Sequence, residues 1–212
     1  MRVVAGVARG RRLAAPAGDR TRPTSDRVRE AVFNALDSLG ELRGATVLDL
    51  FAGSGALGIE ALSRGAASVT FVDADRDAVR AISSNLEATG LAAAEAPTGA
   101  GAGRSRVVRG DALAHVRGLA GPVELVLADP PYAFDDWAGL QQELRDRCPG
   151  ALLVAESDRP VAPVEGGESL RERRYGGTVV TFIRLPATPG GVTAHDGGTP
   201  SRTTPPIPED LA

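Results

Sequence analysis

The stretch Val47-Leu48-Asp49-Leu50-Phe51-Ala52-Gly53-Ser54-Gly55-Ala56-Leu57-Gly58 decides how this chain folds. An apolar run of strand length leads straight into a glycine loop, and a helical pattern opens behind it. Glycines at 53, 55 and 58 let the backbone approach a ligand, and the start of the following helix turns free amides toward it. Outward from this unit, strands are expected at Thr46–Leu50, Ser68–Asp73, Arg106–Arg109, Val123–Asp129 and Leu152–Glu156. Helices are expected between them, near 57–64, 75–88, 112–119 and 136–147. Such alternation predicts a Rossmann-like α/β fold, its mostly parallel sheet covered on both faces. The last two strands, Leu170–Tyr175 and Thr178–Leu185, are separated only by Gly176-Gly177, which predicts an antiparallel hairpin at the sheet edge.

Composition sets the bounds. With 212 residues, 42% hydrophobic and 24% charged, the chain can bury one substantial core. No run approaches a membrane span, and the N-terminus Met1-Arg-Val-Val-Ala-Gly-Val-Ala-Arg9 has no signal-peptide core, so a cytoplasmic protein is expected. The single cysteine, Cys148, excludes an intrachain disulfide and a cysteine-rich metal site; no metal is expected, and the protein is expected to be a monomer. Three regions follow: a basic N-terminal extension over 1–40 (a short hairpin plus a helix), the α/β domain over 41–186, and a disordered tail over 187–212. Residues 92–105, rich in alanine and glycine, are expected to form a flexible insertion.

The charge is unevenly placed. The net charge is -3, yet residues 1–30 hold eight arginines against three acids. The chain has no lysine, so all 24 basic residues are arginine. A solvated face and a phosphate-contact surface are both open readings of the N-terminal cluster. Within it, Thr24-Ser-Asp-Arg-Val-Arg-Glu30 reads as a helix start, with Val28, Val32, Phe33 and Leu36 on one stripe that docks on the domain.

The glycine loop alone leaves a dinucleotide enzyme open, because Asp73 ends the next strand twenty positions after Gly53, where an acid would hold ribose hydroxyls. Two details favour S-adenosylmethionine. Asp49, just before the loop, can pair with a cationic ligand and would repel a pyrophosphate. Gly110-Asp111-Ala112 follows the third strand, where an adenine amino group needs an acceptor, although such an Asp also caps helices.

Asp129-Pro130-Pro131-Tyr132 closes the fourth strand. An exocyclic amine is a poor nucleophile, its lone pair delocalised into the ring. The Asp129 carboxylate and the Pro130 carbonyl can accept its two hydrogens, Pro131 stiffens the backbone, and Tyr132 can stack on a flipped-out base. The methyl group arrives activated, so positioning carries the catalysis.

Together, Arg22-Pro-Thr-Ser-Asp-Arg-Val-Arg-Glu30, Leu48-Asp-Leu-Phe-Ala-Gly-Ser-Gly-Ala-Leu-Gly58 with its continuation to Ala66, Ser68-Val-Thr-Phe-Val-Asp73 and Asp129-Pro-Pro-Tyr132 resemble the RsmD family of bacterial 16S rRNA guanine-N2 methyltransferases. The resemblance spans about residues 1–185. It implies a class I methyltransferase fold with S-adenosylmethionine as cofactor. It implies methylation of one guanine N2 in 16S rRNA, presented on the small ribosomal subunit. By motif, Asp49, Phe51, Ala52, Gly53 and Gly55 would surround the methionine part, Asp73 the ribose, and Asp111 and Ala112 the adenine. Thr24 would line the same pocket, and Asp129 would border both cofactor and target base. Arg9, Arg11 and Arg12, with Arg22, Arg27 and Arg29, would contact rRNA phosphates. Family members commonly carry Glu where Asp73 stands, which shortens the reach to the ribose here. Another acceptor (a DNA adenine or cytosine, or a protein glutamine) is the alternative reading. Asp129 in place of Asn speaks against glutamine, and the short chain leaves no room for a DNA target-recognition domain.

Overall fold

A computed structural model describes residues 1–16, 26–92 and 104–187. The sheet is built from β1 (Thr46–Leu50), β2 (Ser68–Asp73), β3 (Arg104–Arg109), β4 (Leu125–Ala128), β5 (Leu152–Ser157), β6 (Glu168–Tyr175) and β7 (Thr178–Arg184). Its order is β3-β2-β1-β4-β5-β7-β6, parallel from β3 through β5, with β7 antiparallel to both of its neighbours. The helices are α1 (Asp26–Leu39), α2 (Ala56–Ser63), α3 (Arg76–Thr89), α4 (Ala112–Arg117) and α5 (Trp137–Arg147). This is the α/β sheet with a terminal hairpin that the alternation predicts.

Alternate residues of the central strands feed two cores. Val47, Phe71, Leu125, Leu127, Val154 and Phe182 pack on one face with α1, α2 and α3. Leu48, Leu50, Val126, Leu153 and Ile183 pack on the other with Val116, Trp137, Leu140 and Leu144 of α4 and α5. Every residue of β4 and β5 is buried. A large apolar side chain contributes about 1.5–3 kcal/mol on full burial, so these two strands anchor both cores.

Boundaries move where local chemistry dictates. Strand β4 stops at Ala128, one residue short of expectation, because Asp129 precedes two prolines that cannot donate ladder bonds. β3 begins at Arg104, inside the segment expected to be an insertion, since Arg104 pairs in register with Ser68. The rest of that segment, and the tail beyond Ala187, lie outside the described residues.

The N-terminal residues form a turn closed by an antiparallel bridge between Arg2 and Arg12 and by Val3 N–H to Arg11 carbonyl, 2.9 Å. Val3, Ala8 and Leu13 insert into the same core as α1. Helix α2 holds this turn by its backbone. Glu60 accepts from the amides of Val4 (2.8 Å) and Ala5 (2.9 Å), and the Ser63 hydroxyl oxygen accepts from Ala8 N–H at 3.0 Å. Gly6 approaches Ser63 so closely that a Cβ would sit 1.8 Å from its carbonyl oxygen.

Candidate active site

The carboxyl ends of β3, β2, β1 and β4 lie side by side. They bring Asp111, Asp73, Asp49 and Asp129 to one edge of the sheet, where ligands of doubly wound folds bind. Asp49 is buried, and its Oδ2 accepts from Gly58 N–H at 2.9 Å. That bond caps α2 from outside the helix, because Gly55 at the N-cap has no side chain and is left-handed (φ 77°). Burial pushes the Asp49 carboxyl well above the usual carboxylate range. The Gly58 amide pulls it back, while Asp129 and Asp73 push it further up. Gly58 itself must lack a side chain, since a Cβ there would meet the Phe71 ring at 2.3 Å.

Asp73 holds the loop from the neighbouring strand. Its Oδ2 accepts from Gly53 N–H and its Oδ1 from Asp75 N–H, both at 2.8 Å. Each oxygen keeps a second lone pair for a ligand hydroxyl. The loop is strained: among the described residues Phe51 is the one non-glycine with positive φ (57°). Its ring lies 5.2 Å from that of Phe134, which in turn stands edge-on to Trp137, so an aromatic chain ties the glycine loop to the segment after Tyr132. Ala52 donates to the Val72 carbonyl, which fixes the loop against β2.

At the end of β4, Asp129 is half-buried, Pro130 buried and Pro131 exposed. The Pro131 carbonyl accepts from Phe134 N–H at 2.8 Å and closes the turn. Tyr132 is 45% exposed, and its hydroxyl lies 3.5 Å from Thr178 Oγ1 at the start of β7. Asp111 caps α4, accepting from Ala114 N–H at 2.9 Å, and Ala112 is buried beneath it.

Arg9, Arg11, Arg12 and Arg27 are exposed. With Arg2, Arg9 and Arg27 border a shallow concavity of about 370 Å³ between the N-terminal turn and the start of α1. Arg29 corrects the expectation of a phosphate contact. It is fully buried, donates from Nη2 to Asp26 (2.8 Å) and to the Arg2 carbonyl, and places Nε 3.6 Å from Glu60, so it cannot reach a ligand. Thr24 and Arg22 lie outside the described residues.

Two anchoring side chains escape the sequence reading. Asn85 of α3, buried, donates to the carbonyls of Ser54 and Ala14 at 2.9 Å and accepts from Ala14 N–H at 2.8 Å. Glu60 additionally binds Arg64 Nε at 2.8 Å. Each was signalled by a polar residue inside an otherwise apolar helical stripe.

No group of three or more potential metal-ligating side chains occurs among the described residues. No helix of the described residues is long and apolar enough to cross a membrane. A buried carboxylate relieved by a cation, a glycine loop open on its outer side and an acid at the end of β2 fit S-adenosylmethionine. The fold and this site define a class I S-adenosylmethionine-dependent methyltransferase.

The family described as Conserved hypothetical protein 95 matches residues 1–184. Ribosomal RNA small subunit methyltransferase D of Escherichia coli (strain K12) is 39% identical over 184 residues, 84% of this chain and 86% of its own. The protein of the same name from Haemophilus influenzae is 32% identical over 183 residues, 83% and 89% of the two chains. The structure of Escherichia coli yhhF, described as a methyltransferase, superposes with a TM-score of 0.71 at 33% identity, covering 89% of this chain and 99% of that one. The chain belongs to the RsmD family.

Proposed function

We propose that this protein transfers the methyl group of S-adenosylmethionine to the exocyclic N2 of one guanine in 16S rRNA of the small ribosomal subunit. One observation carries the reading. Asp129-Pro-Pro-Tyr132 ends the strand beside β1, with Tyr132 exposed and Phe134 packed on Phe51 of the glycine loop. A planar amine and a cofactor held at these two loops would meet. The names of the Escherichia coli and Haemophilus influenzae relatives supply the substrate class.

The bound cofactor supplies a methyl carbon activated by its sulfonium. Tyr132 stacks on the flipped guanine. The Asp129 carboxylate and Pro130 carbonyl accept the two N2 hydrogens, so the nitrogen pyramidalises and aims its lone pair at the methyl carbon. Asp129 would take the proton that N2 sheds on accepting the methyl group and pass it on to water. Asp73 holds the ribose hydroxyls and Asp111 the adenine amine. Arg9, Arg11, Arg12 and Arg27 contact phosphates, and the protein acts as a cytoplasmic monomer.

The test is transfer of labelled methyl to small ribosomal subunits from a strain lacking this gene, followed by digestion and mass analysis of the 16S rRNA. A single N2-methylguanosine is the expected product. Label in any other nucleoside, or none while cofactor binding is intact, rejects the assignment and makes DNA and protein the next acceptors to try.

A further inference from the structure

Strand β6 forms one edge of the sheet and carries Arg171, Arg173, Arg174 and Tyr175 just before the Gly176-Gly177 turn. In the β6–β7 register Tyr175 stands opposite Thr178, Arg173 opposite Val180 and Arg171 opposite Phe182. Directly opposed residues share a face, and Val180 and Phe182 belong to the core on the α1 side. Arg171, Arg173 and Tyr175 therefore line that face at every second position, about 7 Å apart. The line ends at the reaction site, because Thr178 meets the Tyr132 hydroxyl.

These arginines also lack acidic partners among the described residues, although Arg173 Nη1 donates to the adjacent Glu172 carbonyl at 2.9 Å. Among the described residues none of Arg171, Arg173 and Arg174 forms an ion pair, whereas Arg29, Arg64, Arg117 and Arg184 all do. Charge on an edge strand has an ordinary purpose, which is to prevent sheet-to-sheet pairing. The opposite edge supplies the comparison. β3 also carries exposed arginines: Arg104 and Arg106 lie in its first half, opposite Ser68 and Thr70, while Arg109 at its carboxyl end donates to the Ala74 carbonyl.

Resting on the rRNA reading above, we propose that the α1-side face of β6 holds the single-stranded RNA that flanks the target guanine. Arg171 and Arg173 bind its backbone phosphates, and Tyr175 offers a surface to the base next to the one held by Tyr132. Alternating cations and an aromatic ring are what an unpaired strand requires, since phosphates repeat along it and every base has a stackable face. The basic N-terminal turn and this strand would then grip the RNA at two separate surfaces.

The test compares two double variants, Arg171→Gln/Arg173→Gln on β6 and Arg104→Gln/Arg106→Gln on β3, in steady-state methylation of undermethylated small ribosomal subunits over a series of KCl concentrations. The β6 variant should show a KM raised about tenfold, and a log–log salt slope shallower by about 1.4 for two lost phosphate contacts on a single strand. Its kcat and cofactor Kd should be unchanged, and the β3 variant should match wild type throughout. A wild-type slope in the β6 variant, or an equal change in both variants, overturns the proposal while leaving the rRNA reading intact. A wild-type protein that does not methylate the subunits overturns both.

Discussion

Asn85 of α3 is hydrogen-bonded to Ser54 in the glycine loop at 2.9 Å, and the same amide group holds Ala14 at the end of the N-terminal turn. One buried side chain thus joins the glycine loop to the segment that carries the exposed arginines. Asn85→Ala leaves three backbone groups without partners. The expected loss is about 1–3 kcal/mol of stability by urea unfolding, with weaker cofactor binding by calorimetry. Wild-type cofactor affinity in a folded Asn85→Ala protein would remove the loop-positioning role.

Glu60 is a harsher site. Its removal leaves buried Arg29 with only the half-exposed Asp26 as counter-charge and frees the amides of Val4 and Ala5. Glu60→Ala should cost about 3–5 kcal/mol, and hydrogen exchange at residues 4 and 5 should rise far more than in the central strands. Uniform exchange across the fold would show that the turn does not depend on this carboxylate.

Asp49 gives a pH-dependent prediction. Its folded pKa is raised, mainly by burial, so the folded protein holds this proton more tightly than the unfolded chain. Its stabilising share is complete below the ordinary carboxylate pKa and is lost as pH rises through the raised value. Asp49→Asn should therefore raise the melting temperature of the ligand-free protein at neutral pH. It should also weaken cofactor binding by about 10–100-fold, the loss of a charged partner for the ligand cation. In wild type, cofactor affinity should climb with pH through the Asp49 window, and in Asp49→Asn that climb should vanish. Identical profiles in the two proteins would assign the titration to another group.

Asp129→Ala separates chemistry from binding. Methylation should fall by at least about a hundredfold, the usual scale for a lost transition-state acceptor, while cofactor Kd changes far less. Equal losses in both would make Asp129 a cofactor ligand and leave the amine without its proposed acceptor.

Much of the site was legible because it is local. The glycine loop, the acid ending β2 and the Asp-Pro-Pro-Tyr turn each occupy a few consecutive residues after an apolar run, and period alone places them at strand ends. Arg29 shows where such reading fails. Its charge points to a surface contact, but it shares a helical stripe with Phe33 and Leu36, and the 3.6-residue period places it inside. Glu60 and Asn85 stand out as polar residues in apolar stripes, but the sequence does not name their partners. Their backbone partners lie 31 to 71 residues away and are amides and carbonyls, which have no sequence signature. Phe134 was nearer to hand, an aromatic two residues past Tyr132, yet only the packing reveals that it rests on Phe51.

The attachment of the N-terminal turn to α2 bears on how this protein can change. Glu60 grips Val4 and Ala5 through their amides, and Ser63 grips Ala8 in the same way, so the anchor does not read side chains at those positions. The exposed positions 7, 9, 11 and 12 can therefore be rewritten without loosening the mount that presents them. A lineage, or an engineer, can change the side chains this surface displays while the α/β body stays untouched.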